Sequence, residues 1–224
     1  MIPGEWLMPY WGPLVLKLKI EQGFINKLLE EGNKSKEKQL DASDMLAGVI
    51  TGQFFYEHGY EQWFLPNFNN QILSQYESNL SEYQPITYTN IGQLKYPFNI
   101  VQSSLWINYQ KSKEYNPPHK HDGDLSFVIY LQVPDDMLDE DIKDQKNIKQ
   151  KRPGRINFFT DSDRPFSISN YSALPEVGDV YIFPSWLMHY VNPFESDGER
   201  ISVSGNIYLE SYSSINELNQ WKGE

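Results

Sequence analysis

The stretch Arg200-Ile-Ser-Val-Ser-Gly-Asn206 alternates polar and apolar residues with a strict period of two. Such a period is that of a strand, so Arg200, Ser202, Ser204 and Asn206 share one face while Ile201, Val203 and Ile207 share the other. Runs of similar β character lie upstream, at Ile100 to Gln110, Leu125 to Val133, Ile156 to Thr160, Phe166 to Tyr171 and Asp179 to Pro184. Turn signals divide them, among them Asp122-Gly123, Pro153-Gly154, Val177-Gly178-Asp179 and Asp197-Gly198. Short strands at this spacing predict a β-sandwich or barrel, of which the jelly roll is the form with two facing sheets. One segment breaks the pattern. Asp135 to Arg152 holds six acids in its first ten residues and five bases from Lys143 onward, and it reads as an exposed insertion, a lid or substrate-contact loop rather than scaffold.

Ahead of the β-rich part, Leu14 to Ile20 alternates apolar residues and lysines and reads as a strand. Glu21 to Glu31 then carries Phe24, Ile25, Leu28 and Leu29 at helical spacing, with Gly32 as a C-cap and Asn33 to Ser43 as a surface loop. Phe68 to Tyr83 sets Ile72, Leu73, Tyr76 and Leu80 on one helical face, whereas Met45 to Ile50 and Phe54 to Phe64 have no assignable period. The expectation is α+β, mainly β, in a single domain over residues 1–224. Helical and strand support fills residues 1–98, and a jelly-roll core with an insertion at 135–152 fills residues 99–210.

Composition narrows the function. A chain of 224 residues that is 39% hydrophobic and 15% aromatic can bury a sizeable core. Its net charge of −11 would repel a phosphate backbone, which argues against nucleic acid as a partner. The absence of cysteine removes thiolate metal sites, disulfides and cysteine nucleophiles together and suits a reducing compartment, so cytoplasm is the default. Pro13 to Ile20, the most apolar early run, is too short and too lysine-rich to span a membrane.

Of the four histidines, His119 and His121 occur in Asn116-Pro-Pro-His-Lys-His-Asp-Gly-Asp124, and His189 ends Phe183-Pro-Ser-Trp-Leu-Met-His189. Residues i and i+2 of a strand project to one face, so this pair can aim at one point and a distant third imidazole can complete a contact suited to Fe, Zn, Cu or Ni. A His-x-His pair by itself is also what a polar surface loop carries. His58 has no partner in sequence and reads as a loop or helix-end residue. Arg200, eleven residues beyond His189, would place a planar guanidinium fork beside a serine, a pairing suited to bidentate capture of a carboxylate.

The ordered series Trp106-Ile-Asn-Tyr109, His119-x-His121, Ser126-Phe-Val-Ile-Tyr-Leu131, Gly178-Asp-Val-Tyr-Ile-Phe-Pro-Ser-Trp-Leu-Met-His189 and Arg200-x-Ser202 resembles the Fe(II)/2-oxoglutarate-dependent dioxygenase superfamily, in its often phage-encoded, prolyl-hydroxylase-like branch. The resemblance covers residues 99 to 209. It implies a double-stranded β-helix, a cupin-like jelly roll, with Fe(II), 2-oxoglutarate as co-substrate and O₂. By the same resemblance His119 and His189 are metal ligands, Arg200 and Ser202 anchor the far carboxylate of 2-oxoglutarate, and Tyr109 and Tyr130 lie near positions where related enzymes set a tyrosine against the co-substrate. Trp106, Phe183, Trp186 and Tyr190 are candidates for the pocket wall.

One position departs from the pattern. Where the family carries a carboxylate ligand this chain has His121, with Asp122 and Asp124 just beyond. Either the site is built of three histidines, or the loop turns so that one of these aspartates binds instead. The implied activity is hydroxylation of a C–H bond in an unidentified protein or small molecule, with release of succinate and CO₂, in the cytoplasm or, for a phage-encoded chain, the host cytoplasm. The alternatives are a three-histidine jelly roll that does not use 2-oxoglutarate and a non-catalytic binding jelly roll.

Overall fold

The computed structural model describes residues 12–83, 97–147, 151–161 and 169–210. Leu16–Lys19 forms β1, with its leucines half-buried and its lysines exposed. Gln22–Glu37 forms α1, burying Phe24, Ile25 and Leu28, and Gln53–Phe55 forms β2. Helix α2 (Glu61–Phe68), a π turn (Asn69–Leu73) and α3 (Ser74–Tyr83) follow without a break and bury Phe64, Phe68, Ile72, Leu73 and Tyr76. The remaining elements are β3 (Ile100–Gln110), β4 (Asn116–His119), β5 (Leu125–Gln132), α4 (Met137–Asp144), β6 (Ile156–Phe159), β7 (Asn170–Ala173), β8 (Asp179–Pro184), β9 (Met188–Val191) and β10 (Arg200–Leu209).

The strands make two antiparallel sheets, one of six strands in the order β1-β8-β5-β10-β3-β2 and one of four in the order β4-β9-β6-β7. On the large sheet, Leu105, Ile107, Phe127, Ile129, Val203 and Ile207 pack against Leu28, Phe64, Phe68 and Ile72 of the helices. Val128, Tyr130, Tyr181 and Phe183 face the other way and meet Ile156 and Phe158 of the small sheet. A strand covered on both faces cannot alternate, which is why β5 is buried from Leu125 to Leu131. This is the double-stranded β-helix, with helices backing one sheet.

Several expectations need correction. Gly32 does not cap α1, which runs on to Glu37. Lys27 and Lys34 pair with Glu30 and Glu31 across successive turns, and the missing side chain lets the helix press onto β3, where a Cβ would meet Ile107 Cδ1 at 2.3 Å. Strands β4 and β9 were not legible, since each has four residues and β4 carries two prolines, which an edge strand tolerates. Residues 166–168, half of the expected strand at Phe166 to Tyr171, lie outside the described residues, and β7 begins at Asn170.

The segment from Asp135 is scaffold rather than a lid. Helix α4 buries Met137, Asp141 and Asp144. Arg155 grips Asp141 through Nε (2.7 Å) and Nη2 (2.6 Å), and Asp144 accepts the backbone N–H groups of Lys151 and Arg152. Glu140 accepts those of Glu195 and Ser196. Three of the six acids that mark an exposed loop in sequence, Glu140, Asp141 and Asp144, tie the helix down, while Asp135, Asp136 and Asp139 stay exposed.

Candidate metal centre

His119 ends the edge strand β4 and is paired across it with His189 of β9. Each imidazole is oriented by its own chain: His119 Nδ1–H donates to the Pro117 carbonyl at 2.7 Å and His189 Nδ1–H to that of Leu187 at 2.9 Å. A carbonyl only accepts, so both rings carry the proton on Nδ1 and turn a bare Nε2 inward. His121 follows on a loop stitched to the β8–β9 turn, its backbone N–H donating to Ser185 O (2.9 Å) while Ser185 N–H returns to Asp124 O (3.0 Å).

The three imidazoles converge. Their ligand atoms lie within 4.8 Å of one another, and His121 Nε2 is 3.2 Å from His189 Nε2. Two nitrogens bound at about 2.1 Å and at right angles on one metal are separated by ~3 Å, so this spacing fits a shared ion. Burial, and then the neighbouring imidazoles, push His121 down to about 3; burial, and then His119, push His189 down to about 4; burial lowers His119 as well. All three are neutral near pH 7 and offer lone pairs to a first-row divalent metal such as Fe(II).

The geometry decides between the open alternatives at the departure from the pattern. Asp122 is exposed, and Asp124 turns away to accept the Leu209 N–H at 2.7 Å. His121 is therefore the residue that the geometry brings together with His119 and His189. His58 is exposed and stands apart from it.

The triad lines a cavity that also holds Arg200, Ser202, Ser204 and Tyr130. Arg200 is 2% exposed. Its Nη1 donates to Gly154 O at 2.6 Å and its Nη2 to Gln110 Oε1, and Nε has no partner among the described residues. Burial lowers its pKa, yet a guanidinium stays protonated, so the cavity contains a buried cation that no carboxylate of the described residues pairs. Ser202 sits one inward position along β10, within 3.5 Å of Asn108 Nδ2. Tyr130 lies under the guanidinium, its ring centroid 5.6 Å from Arg200 Cζ.

Other candidates divide by strand face. Trp106 stands with its ring 5.8 Å from that of His121, and Phe183 with its ring 4.8 Å from that of His189. Tyr109 is a correction: one residue from the inward-facing Asn108 and Gln110, it points to the helical layer and donates its hydroxyl to Asn33 Oδ1 at 2.7 Å. Tyr190 turns outward onto Phe159 at 5.9 Å, and Trp186 is 58% exposed in the β8–β9 turn. Sequence reasoning missed the roof. Leu46, Ala47, Gly48 and Ile50 close the cavity from an irregular strap pinned by the bridges Asp41–Phe54 and Val49–Tyr115, and Gln53 of β2 lines it below. No periodicity marks such a strap.

A family model described as "Putative 2OG-Fe(II) oxygenase" matches residues 104–206, which take in all three histidines, Arg200 and Ser202. No curated protein matches the chain. Among solved structures, a prolyl-4-hydroxylase of Pseudomonas putida is 13% identical with a TM-score of 0.53, the match covering 88% of this chain and 93% of that one. SnoK, a non-heme α-ketoglutarate-dependent carbocyclase of nogalamycin biosynthesis, is 11% identical with a TM-score of 0.52, covering 88% and 79%. A prolyl hydroxylase of Trichoplax adhaerens, in complex with a hypoxia-inducible-factor peptide fragment, is 10% identical with a TM-score of 0.50, covering 87% and 83%. At these identities the structures speak for the shared fold.

Proposed function

We propose that the chain is a member of the Fe(II)/2-oxoglutarate-dependent dioxygenase superfamily and that it hydroxylates a C–H bond of an organic substrate with release of succinate and CO₂. The observation that carries the reading is the presence, in one cavity, of three neutral imidazoles and a buried guanidinium with no counter-charge among the described residues. Fe(II), when bound, supplies activation of O₂ coupled to decarboxylation of 2-oxoglutarate, one oxygen atom going to succinate and the other to the substrate. The rest is the work of the chain. His119, His121 and His189 hold the metal from one side and leave its remaining positions to the reactants. The unpaired Arg200 Nε and the Ser202 hydroxyl receive the far carboxylate, which fixes the 2-oxo acid end toward the triad. Phe183, Val191 and Ile156 exclude water around it.

Arg200→Ala tests this. Loss of a charge-assisted, buried contact costs on the order of 2–5 kcal/mol, about thirtyfold or more in affinity. Calorimetric titration of the Ni(II)-loaded protein with 2-oxoglutarate should show that loss with metal content unchanged. Arg200→Lys should also bind poorly, because an ammonium cannot form the planar fork. Wild-type affinity in the alanine variant would remove the assignment. Metal binding in the wild type with no response to 2-oxoglutarate would instead favour a three-histidine enzyme of another kind.

A further inference from the structure

We propose that the cavity holds one anion more than the co-substrate supplies: a small monoanion, bound beside the triad next to Trp106, whose ring lies 5.8 Å from that of His121. The inference rests on the reading above and follows from a count of charge. A divalent metal and Arg200 bring three positive charges, the three imidazoles bring none, and no aspartate or glutamate lines the cavity among the described residues. The 2-oxoglutarate dianion cancels two. One positive charge is left in a cavity walled by Phe183, Val128, Ile156 and Val191, where an unbalanced charge is strongly disfavoured.

The two carboxylates nearest in sequence cannot supply the balance. Asp122 points to solvent, and Asp124 is held by the Leu209 N–H at 2.7 Å on the far side of its loop. The lining meanwhile offers donors. The Trp106 indole N–H, the Ser204 hydroxyl and the Asn116 amide all border the cavity, and among the described residues none of these side chains has a hydrogen-bond partner. Donors without acceptors, next to surplus positive charge, make an anion site. Its natural occupant is either a carboxylate of the substrate itself, which would make the substrate class acidic, or a free inorganic anion.

The test uses the full chain loaded with Co(II) and saturated with 2-oxoglutarate, titrated separately with acetate and with azide and read by the visible Co(II) spectrum and by calorimetry. The expected result is saturable binding of one equivalent. In His121→Asp, which restores a carboxylate to the metal, affinity for that anion should fall at least tenfold while metal and 2-oxoglutarate still bind. Should that variant lose metal or fail to fold, Ser204→Asp places a carboxylate in the same cavity from β10 and should displace the anion to the same extent. Preference for acetate identifies an organic carboxylate as the occupant, and preference for azide an inorganic anion. Metal and 2-oxoglutarate binding with no second anion, or equal anion affinity in the carboxylate variants, would overturn the inference alone. Failure of the wild type to bind metal or 2-oxoglutarate would overturn the oxygenase reading and this inference with it.

Discussion

Three parts of the chain each contribute one imidazole: the end of β4, the loop after it, and β9. Two of the rings are set by the carbonyl two residues earlier in the chain, so orientation of each ring is a local property of Pro117-x-His119 and Leu187-x-His189. The third depends on Ser185, whose backbone holds the His121 loop and whose hydroxyl donates to Gly123 O. Removing any one ring leaves two nitrogens and a much weaker site. His119→Ala, His121→Ala and His189→Ala should each lower bound metal strongly after dialysis against a metal-limited buffer, whereas His58→Ala should keep the wild-type content. Full retention in His189→Ala would show that the metal sits elsewhere.

Among the elements, β10 joins the two halves of the large sheet, paired with β3 on one side and β5 on the other. Gly205 is its tightest point. A Cβ there would meet Ser104 O at 2.4 Å and the Phe127 ring at 2.6 Å, the same ring that stacks against Phe64 and Phe68. Backbone cannot give way as a side chain can, so Gly205→Ala should cost ~2 kcal/mol or more in denaturant unfolding. A midpoint equal to wild type would contradict that packing. Helix α4 acts on the site at one remove. Met137 lies under Gly154, Asp144 holds the Lys151 and Arg152 amides, and the Gly154 carbonyl receives Arg200 Nη1. Breaking the buried Asp141–Arg155 pair leaves one charge stranded. Asp141→Ala should thus destabilise by about 3 kcal/mol and weaken 2-oxoglutarate binding as well. A Gly-Ser turn in place of residues 135–152 should abolish folding rather than merely uncouple turnover, and circular dichroism would separate the two.

On the scale of the whole molecule, the triad links stability to pH. His121 and His189 titrate near 3 and 4 in the folded chain, against about 6.5 when unfolded. As pH falls below ~6.5 the unfolded chain takes up protons that the folded chain refuses, so the balance moves toward unfolding. Stability of the metal-free protein is complete above that pH and declines toward pH 4. The melting temperature of metal-free protein should drop between pH 7.5 and pH 5, and His121→Gln should flatten the drop. A wild-type profile with no slope over that range would mean that the imidazoles are not buried together.

What the sequence determined by itself was whatever depends on near neighbours. The period of Arg200 to Asn206 placed Arg200, Ser202 and Ser204 on one face, because strand geometry is a local property, and the sequence singled out His119, His121 and His189, which the fold brings together. Only the tertiary structure decided that Tyr109 serves the helical layer, that Gly32 lies within a helix, that Met137 to Asp144 is a scaffold helix, and that Leu46, Ala47, Gly48 and Ile50 roof the cavity. It also decided that His121 faces His119 and His189 while Asp122 and Asp124 do not. The physical reason is common to these cases. Which face of a strand is lined, which charges find partners and which irregular segment is covered are settled by surfaces distant in sequence, and no local periodicity encodes their arrival.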